Sequence, residues 1–285
     1  MIWLVGQNGM LGKELSKVLS DSGLEFLGTD IETDISDIAA VKSFILNKKF
    51  SHIINCAAYT AVDKAEDESE KATDINVFGV ANLAFAATFL DAALIHISTD
   101  YVFGGEEDRQ LCEKDAVNPV GVYGRTKLYG EYSIGFSPLR RFFIIRTAWL
   151  YGKGGKNFVS TMLNLMNSKD EIGVVADQWG SPTWTRDLAE FAVKIIKNGS
   201  DSYGIYHFSG EGKTNWYEFA EKIYELGKKT GQITSDCKIN PLSTEQYPTK
   251  AKRPKYSYLS KEKAMKNFGI SAAKWEDSLE RYFSS

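Results

Sequence analysis

Residues 1–30 read MIWLVGQNGMLGKELSKVLSDSGLEFLGTD. The apolar run at 2–5 predicts a short buried strand, and the glycine-rich stretch Gly6–Gly12 predicts a turn into a helix. Apolar residues then recur at helical spacing until Gly23, after which Phe26–Gly28 predicts a second strand that ends at Asp30. A strand, a glycine turn, a helix, a second strand and an acidic residue form the dinucleotide-binding pattern.

Each residue type in this turn has a physical task. Gly6, Gly9 and Gly12 have the spacing Gly-x-x-Gly-x-x-Gly, and glycine permits backbone angles that a side chain forbids. Glycine also lets a pyrophosphate approach the N–H groups at the helix start, which favour negative charge. Asp30 is placed to accept hydrogen bonds from the adenine ribose hydroxyls. The alternative is an ordinary tight turn between a strand and a helix.

The composition limits the class of protein. Of the 285 residues, 43% are hydrophobic and 25% are charged, which is ordinary for a globular protein with one large domain or one domain plus a smaller lobe. The net charge of -3 argues against a nucleic-acid partner. No apolar run approaches the roughly 18 residues of a membrane span. Three scattered cysteines and no visible export signal predict reduced thiols in the cytoplasm and no metal site.

Two further strands end in small or polar residues. His52–Asn55 predicts the third strand, which is followed by the small residues of Cys56–Thr60. Leu94–Ile97 predicts the fourth, which is followed by Ser98–Tyr101. Ligands lie at the carboxyl ends of the strands in an open parallel sheet, so both ends are candidate site positions, with a simple strand cap as the alternative for the second. Between them, residues 63–90 predict one long helix.

A Tyr-x-x-x-Lys pair follows the fourth strand. Tyr123 and Lys127 are four residues apart and therefore share one face of a predicted helix. A phenol is a poor proton donor at neutral pH because its pKa lies near about 10, and an adjacent ammonium lowers that pKa by favouring the phenolate. The same lysine can hold a nicotinamide ribose. Tyr224 and Lys228 repeat the spacing, but they lie among apolar residues at core spacing, so we interpret that pair as structural.

Several stretches together resemble the extended short-chain dehydrogenase/reductase superfamily and, within it, the dTDP-4-dehydrorhamnose reductase family. Besides the glycine turn they are residues 55–66 (NCAAYTAVDKAE), 98–104 (STDYVFG), 123–131 (YGRTKLYGE), 146–152 (RTAWLYG), 177–183 (DQWGSPT) and 251–254 (AKRP). With the strand and helix pattern, the resemblance implies an α/β fold built on a doubly wound parallel sheet. Residues 1–148 would form a Rossmann domain, to which about 187–208 return, and residues 149–285 would mainly form a smaller substrate-binding lobe. Residues 236–254 are expected to be irregular.

The resemblance also implies a reaction, the reduction of the 4-keto group of dTDP-4-dehydro-L-rhamnose. Hydride would pass from the nicotinamide C4 of NADH or NADPH to the sugar C4. Tyr123 would supply the proton to the developing alkoxide, and Thr99 would hydrogen-bond the same oxygen. Lys127 would bind the ribose and lower the pKa of the tyrosine. Asp30 favours NADH, because a 2′-phosphate would meet its carboxylate.

Other residues take binding roles by the same resemblance. The cofactor would be lined by the three glycines and by Met10, Leu11, Asp30, Asp34, Ile35, Ala57, Ala58, Tyr59, Thr60, Tyr123 and Lys127. The sugar nucleotide would meet Thr99, Asp100 and Trp149. Arg253 is the best pyrophosphate candidate, because a guanidinium binds phosphate in a bidentate fork. Three lysines lie in similar loops and are either further donors or solvated surface charges: Lys153, Lys156 and Lys252.

The resemblance leaves the metal and the oligomeric state to be decided. Some relatives hold a divalent metal between subunits with two glutamates, one early in the first helix and one just after the Pro-Thr. Glu14 matches the first position, but Arg186 stands at the second. We therefore expect no such metal, and the protein is either a monomer or a homodimer.

Two other functions are compatible with this fold. A regulatory subunit could bind the dinucleotide without catalysis, although intact Thr99, Tyr123 and Lys127 argue against it. A nucleotide-sugar epimerase or dehydratase is the nearer alternative. Dehydratases of this superfamily carry an acid-acid pair after the threonine, whereas this chain has Asp100 followed by Tyr101.

Overall fold

The computed structural model describes residues 1–285 and places six parallel strands in one central sheet. The strands in chain order are β1 (Ile2–Val5), β2 (Phe26–Thr29), β3 (His52–Asn55), β4 (Ala93–Thr99), β5 (Phe142–Thr147), β6 (Leu150–Tyr151), β7 (Glu171–Val175), β8 (Trp179–Gly180), β9 (Thr183–Trp184), β10 (Gly204–His207), β11 (Thr214–Asn215), β12 (Lys238–Leu242) and β13 (Tyr256–Ser257). The central sheet has the order β10-β5-β4-β3-β1-β2. Because β1 pairs with β2 on one side and β3 on the other, the direction of winding reverses there, and a crevice opens at that point.

The chain forms eleven α-helices, including those that cover the two faces of this sheet. They are α1 (Met10–Asp21), α2 (Ile38–Ile45), α3 (Val62–Ala65), α4 (Ser69–Thr73), α5 (Val80–Leu90), α6 (Val122–Gly135), α7 (Phe158–Ser168), α8 (Thr185–Asn198), α9 (Trp216–Lys229), α10 (Glu262–Phe268) and α11 (Trp275–Ser284). One buried core includes Leu15 of α1, Leu188 of α8 and Phe268 of α10. The core on the other face includes Val41 of α2 and Leu83 of α5. The predicted doubly wound parallel sheet is confirmed.

A third buried core lies outside the sheet. It joins α7, α9 and α11 through residues that include Val159, Phe219 and Leu279. The expectation that residues 236–254 are irregular is wrong in part, because β12 pairs in parallel with β7 along its whole length. Pro241 inside β12 removes one backbone donor. This weakens the sequence signal for a strand, and a two-stranded sheet tolerates the loss.

The helix predicted over residues 63–90 is interrupted. After α3 and α4 the chain forms a π-helical segment, Asp74–Gly79, before α5 begins. This segment holds buried Asn76, whose side chain accepts a hydrogen bond from the Tyr59 backbone N–H at 2.9 Å and donates to the Tyr59 carbonyl and the Thr126 hydroxyl. Such insertions are frequent at functional sites. Here the amide ties the turn after β3 to α6.

The helical run Ser69–Leu90 is long and apolar enough, by length and composition alone, to cross a membrane. Its inner face belongs to the core of the fold, where Val80 and Leu83 are at most 1% exposed. Its outer face exposes aromatic side chains that include Phe85 and Phe89. The burial of the inner face is that of a core helix.

A buried ion pair fixes α6 on the sheet. The Arg146 guanidinium donates to both carboxylate oxygens of Glu131, with a closest distance of 2.7 Å, and both side chains are at most 3% exposed. The Ser98 hydroxyl also donates to this carboxylate, at 2.5 Å. Because Ser98 lies on β4 and Arg146 on β5, the pair holds α6 against the ends of two strands.

Replacing only Arg146 with leucine should lower the free energy of unfolding by about 3–5 kcal/mol, because Glu131 would stay buried without a counter-charge. The double variant Arg146→Leu/Glu131→Leu should recover much of this loss, since no charge remains. Urea unfolding at pH 7 measures both values. Equal stability of the wild type and the single variant would contradict the role given to the pair.

Candidate active site

A cavity of about 1000 Å³ lies at the carboxyl edge of the central sheet. It brings together predicted residues from widely separated stretches: Gly6, Gly9, Met10, Leu11, Gly12, Asp30, Asp34, Ile35, Ala57, Ala58, Thr60, Thr99, Asp100, Tyr123, Lys127 and Trp149. Tyr59 and Arg253 are the two predicted site residues that do not line it. The cavity therefore combines the predicted dinucleotide turn with the predicted catalytic side chains.

The glycine turn has no room for side chains. Gly6 has φ of 78°, and a Cβ added to it would lie 2.7 Å from the Ala57 nitrogen. A Cβ on Gly12 would lie 2.1 Å from the Gly6 carbonyl oxygen. Helix α1 starts at Met10, and its N-cap, Gly9, supplies no side-chain hydrogen bond. The first N–H groups of α1 therefore have no side-chain acceptor and suit a pyrophosphate.

Asp30 lies directly after β2. One carboxylate oxygen accepts from the Asn8 N–H at 2.8 Å and the other from the Ile31 N–H at 3.0 Å. The stretch from Gly28 to Asp37 contains four acidic residues and no lysine or arginine. This segment therefore offers negative charge and no cation of its own to a group bound beside it.

The Tyr59 side chain points away from the cavity, and its predicted contact with the cofactor stays a prediction. Its hydroxyl donates to Glu68 at 3.1 Å, and its ring packs in an apolar cluster with Ala65 and Ala72. That cluster, beneath α3 and α4, takes the ring away from the cavity. The small residues beside it, Ala58 and Thr60, line the cavity as predicted.

Arg253 does not line the cavity, and its role as a pyrophosphate donor stays a prediction. Its guanidinium donates to Asp63 at 2.8 Å and to the Tyr101 hydroxyl at 3.3 Å. It therefore lies beside the cavity with its charge already paired. Among the loop lysines, Lys156 lines the cavity, whereas Lys153 bonds to the backbone of the last residue, Ser285.

Thr99 and Tyr123, the predicted catalytic residues, lie where β4 meets α6. Thr99 is the last residue of β4, and its hydroxyl donates to the Asp100 carboxylate at 2.9 Å. Burial raises the pKa of Tyr123, and a hydrogen bond with Thr99 opposes that shift. The expectation that Lys127 lowers this pKa is not met, because burial dominates and Lys127 is not among the groups that shift it. The phenol therefore keeps its proton at neutral pH, as a proton donor must.

Lys127 is 2% exposed and lines the cavity. Its amine donates to the Ile97 carbonyl at 2.6 Å and lies 3.3 Å from Nε2 of His96. Burial lowers the pKa of Lys127 to about 8, with the negative charge of Glu131 acting against the shift. The lysine can therefore change charge near neutral pH. His96 could not be identified from the sequence, because the position of a residue on a strand does not show which side chain that residue faces.

Trp149 forms one wall of the cavity. Its backbone is left-handed, with φ of 48°, a conformation that a bulky residue keeps only when its surroundings impose it. Its ring stacks on Trp216, with ring centroids 3.6 Å apart and an interplanar angle of 10°. The stacking partner comes from α9 and could not be predicted, since nothing in the sequence links positions 149 and 216.

The remaining predicted groups lie elsewhere. Tyr224 and Lys228 stand on α9 outside the cavity, and Lys228 pairs with Asp236 at 2.9 Å. Glu14 forms an ion pair with Arg186 at 3.3 Å. No group of three or more His, Cys, Asp or Glu side chains is arranged to hold a metal ion.

Asp100 is a buried carboxylate whose charged form is unfavourable. It is 2% exposed, and its Oδ2 has no hydrogen-bond partner. Burial raises the pKa of this carboxyl to about 6, and the hydrogen bond from Thr99 opposes the shift. Between pH 4 and pH 6 the folded protein therefore binds more protons than the unfolded chain, so this group makes the protein less stable as the pH rises.

Asp100→Asn should raise the free energy of unfolding at pH 7.5 by on the order of 3 kcal/mol, because it removes a buried charge. At pH 4, where the native carboxyl is protonated, it should have little effect. Urea unfolding at both pH values measures this, with Asp201→Asn on the surface as the control. A gain that is equal at both pH values would contradict the assignment.

Comparison with known proteins places the chain in a family. The family described as "RmlD substrate binding domain" matches residues 1–285. A dTDP-4-dehydrorhamnose reductase of Aggregatibacter actinomycetemcomitans is 42% identical over 283 residues, which cover 97% of this chain and 96% of the relative.

Solved structures agree. The dTDP-4-dehydrorhamnose reductase of Clostridium acetobutylicum has 43% identity and a TM-score of 0.92, covering 99% of this chain and 98% of its own. The enzyme of that name from Bacillus anthracis, solved in complex with NADP, has 38% identity and a TM-score of 0.93, with the same coverage. The resemblance found in the sequence is thereby confirmed, and the chain belongs to the dTDP-4-dehydrorhamnose reductase family.

Proposed function

We propose that this protein reduces the 4-keto group of dTDP-4-dehydro-L-rhamnose to give dTDP-L-rhamnose, with a nicotinamide dinucleotide as the reductant. The observation that carries the proposal is the convergence of Thr99, Tyr123 and Lys127 on one cavity that also contains the glycine turn. A site of this size and composition accommodates both a dinucleotide and a sugar nucleotide.

The residues of the chain fit the cofactor. The space above Gly6 and Gly12, which a Cβ would fill, is where a pyrophosphate would approach the start of α1. Asp30 would accept hydrogen bonds from the adenine ribose, and Lys127 would hold the nicotinamide ribose. When bound, the dinucleotide supplies the hydride.

The chain itself supplies the proton and the polar contacts. The Tyr123 phenol donates its proton to the oxygen on the sugar C4, which becomes a hydroxyl. Without substrate, the one proton of the Thr99 hydroxyl is donated to Asp100 at 2.9 Å. When the substrate binds, that proton turns to the same sugar oxygen, so two donors stabilise the negative charge that develops there. The wall of Trp149 and Trp216 limits how the sugar can lie.

Tyr123→Phe should lower kcat by about 10²–10⁴-fold, because the proton donor is lost, and should leave the Kd for NADH nearly unchanged. Stopped-flow oxidation of NADH and fluorescence titration measure the two quantities. Tyr224→Phe, which alters the second Tyr-x-x-x-Lys pair outside the cavity, is the matched control. Substantial turnover by Tyr123→Phe would remove the proton-donor role.

We also propose that NADH is preferred to NADPH. The carboxylate of Asp30 and its acidic neighbours Glu32 and Asp34 would repel a 2′-phosphate, and no basic residue between Gly28 and Asp37 offsets them. The relative solved with NADP indicates that the family accommodates that dinucleotide, so the preference is one of degree.

The ratio of kcat/KM with NADH to kcat/KM with NADPH should exceed one, and Asp30→Asn should lower the ratio by about 5- to 10-fold through a better kcat/KM for NADPH. Glu25→Gln removes the same charge at the opposite end of β2 and should leave the ratio unchanged. Strong preference of the wild type for NADPH would refute the assignment to Asp30.

The smaller lobe is assigned to the sugar nucleotide. Residues 149–285 mainly build it. Residues 187–208 return to the Rossmann part, because α8 packs on the central sheet and β10 is an edge strand of that sheet. Trp149 and Lys156 from the start of this segment line the cavity.

We place the enzyme in the cytoplasm, without a nucleic-acid or membrane partner, as a monomer or homodimer. Assaying NADH oxidation with 4-keto-6-deoxy sugar nucleotides of different base and stereochemistry identifies the substrate.

A further inference from the structure

We propose that Asn55 and His96 form a hydrogen-bonded chain beneath the cavity that directs an imidazole N–H at the Lys127 amine and favours its uncharged form. His96 is thus a positioning residue for the lysine. These hydrogen bonds belong to the folded protein itself, and their effect on turnover rests on the proposed function.

The first link fixes the Asn55 amide. Its Oδ1 accepts from the Ala57 backbone N–H at 3.0 Å, and a backbone N–H can only donate. The amide nitrogen must then face the other way, where it lies 3.0 Å from Nδ1 of His96. An amide nitrogen is also only a donor. The Nδ1 atom of His96 therefore accepts, and it carries no proton.

The second link follows from the charge of the imidazole. His96 is fully buried, and burial together with the positive charge of Lys127 holds its pKa well below the usual value. A neutral imidazole has one N–H. Since Nδ1 accepts from Asn55, that N–H is on Nε2, which lies 3.3 Å from the Lys127 amine.

The third link is the response of Lys127. As a neutral amine it can donate to the Ile97 carbonyl at 2.6 Å and accept from the imidazole N–H. As an ammonium it has only donors, so one of them would oppose that N–H. Relieving the conflict requires the imidazole proton to move to Nδ1 and the Asn55 amide to turn over, which would break its bond to Ala57.

Other charged or titratable groups near Lys127 also affect whether its amine is protonated. Glu131, on the same helix, favours the ammonium, but its charge is shared with Arg146. Cys56, at the end of β3, carries a thiol whose pKa burial raises to about 12, so it is neutral. On the cavity side, Tyr123 keeps its proton. The imidazole N–H is thus the contact that acts against the charge of the lysine.

This arrangement suits a lysine that restores the proton of Tyr123. After the phenol gives its proton to the sugar oxygen, Lys127, four residues further along α6, would release one of its own towards the phenolate and become an amine. The imidazole N–H stabilises that amine until water reprotonates it. No bond to carbon changes in this step, and one proton moves from nitrogen to oxygen.

The tautomer of His96 can be read without any substitution. The chain has three histidines, His52, His96 and His207, so ¹⁵N-histidine NMR of the intact protein resolves each ring. His96 should carry its proton on Nε2 and have a bare Nδ1 at pH 9, where Lys127 is neutral. A proton on Nδ1 at that pH would overturn the proposal.

Two variants test the effect on Lys127 itself. Glutamine at position 96 can accept from Asn55 and donate to Lys127, as the neutral imidazole does, whereas leucine can do neither. ¹³Cε-lysine NMR, with the Lys127 signal assigned by Lys127→Met, should therefore give a nearly unchanged Lys127 pKa in His96→Gln. In His96→Leu this pKa should rise by about one unit.

The pH profile of turnover supplies a second readout. The alkaline limb of kcat/KM should move upward with the Lys127 pKa in His96→Leu and stay in place in His96→Gln. An unchanged Lys127 titration in a folded His96→Leu, or a shifted one in His96→Gln, would refute the proposal. Because the NMR titrations need no substrate, they stand apart from the test of the reductase activity by Tyr123→Phe.

Discussion

Beneath the cavity, ionisable side chains are buried side by side and must satisfy one another. Glu131, Arg146 and Lys127 are each at most 3% exposed, and His96 is fully buried. A buried charge is tolerated only with partners, so the ion pair, the Ser98 hydroxyl and the Ile97 carbonyl determine how α6 sits on the sheet. The position of Tyr123, near the start of α6, depends on this arrangement.

Burial also determines the protonation of Tyr123 and Lys127. Burial keeps Tyr123 protonated, which suits reduction of a ketone more than the reverse oxidation. Burial acts on Lys127 in the opposite sense and makes its proton easier to lose. Removing both groups from water therefore raises the proton affinity of the phenolate and lowers that of the amine.

Local patterns in the sequence were enough to predict the dinucleotide turn and the first four strands. The glycines could be identified because Gly6 and Gly12 meet backbone at distances that no side chain permits, and that constraint leaves a visible spacing. The direction of the Tyr59 ring could not be predicted, because a small-residue turn does not show where its one large side chain goes. The π-helical segment within residues 63–90 holds Asn76, whose side chain reaches two distant elements, and β12 depends on its pairing with β7. These features come from long-range contacts, which local periodicity does not report.

Cys56 lines the same cavity and has no disulfide partner. Burial raises the pKa of this thiol to about 12, so the thiolate is a minor species at neutral pH. Since the thiolate is the species that attacks electrophiles and peroxide, this thiol should react slowly with alkylating reagents and oxidants. The fold thus shields a thiol in its catalytic chamber from the redox state of its surroundings.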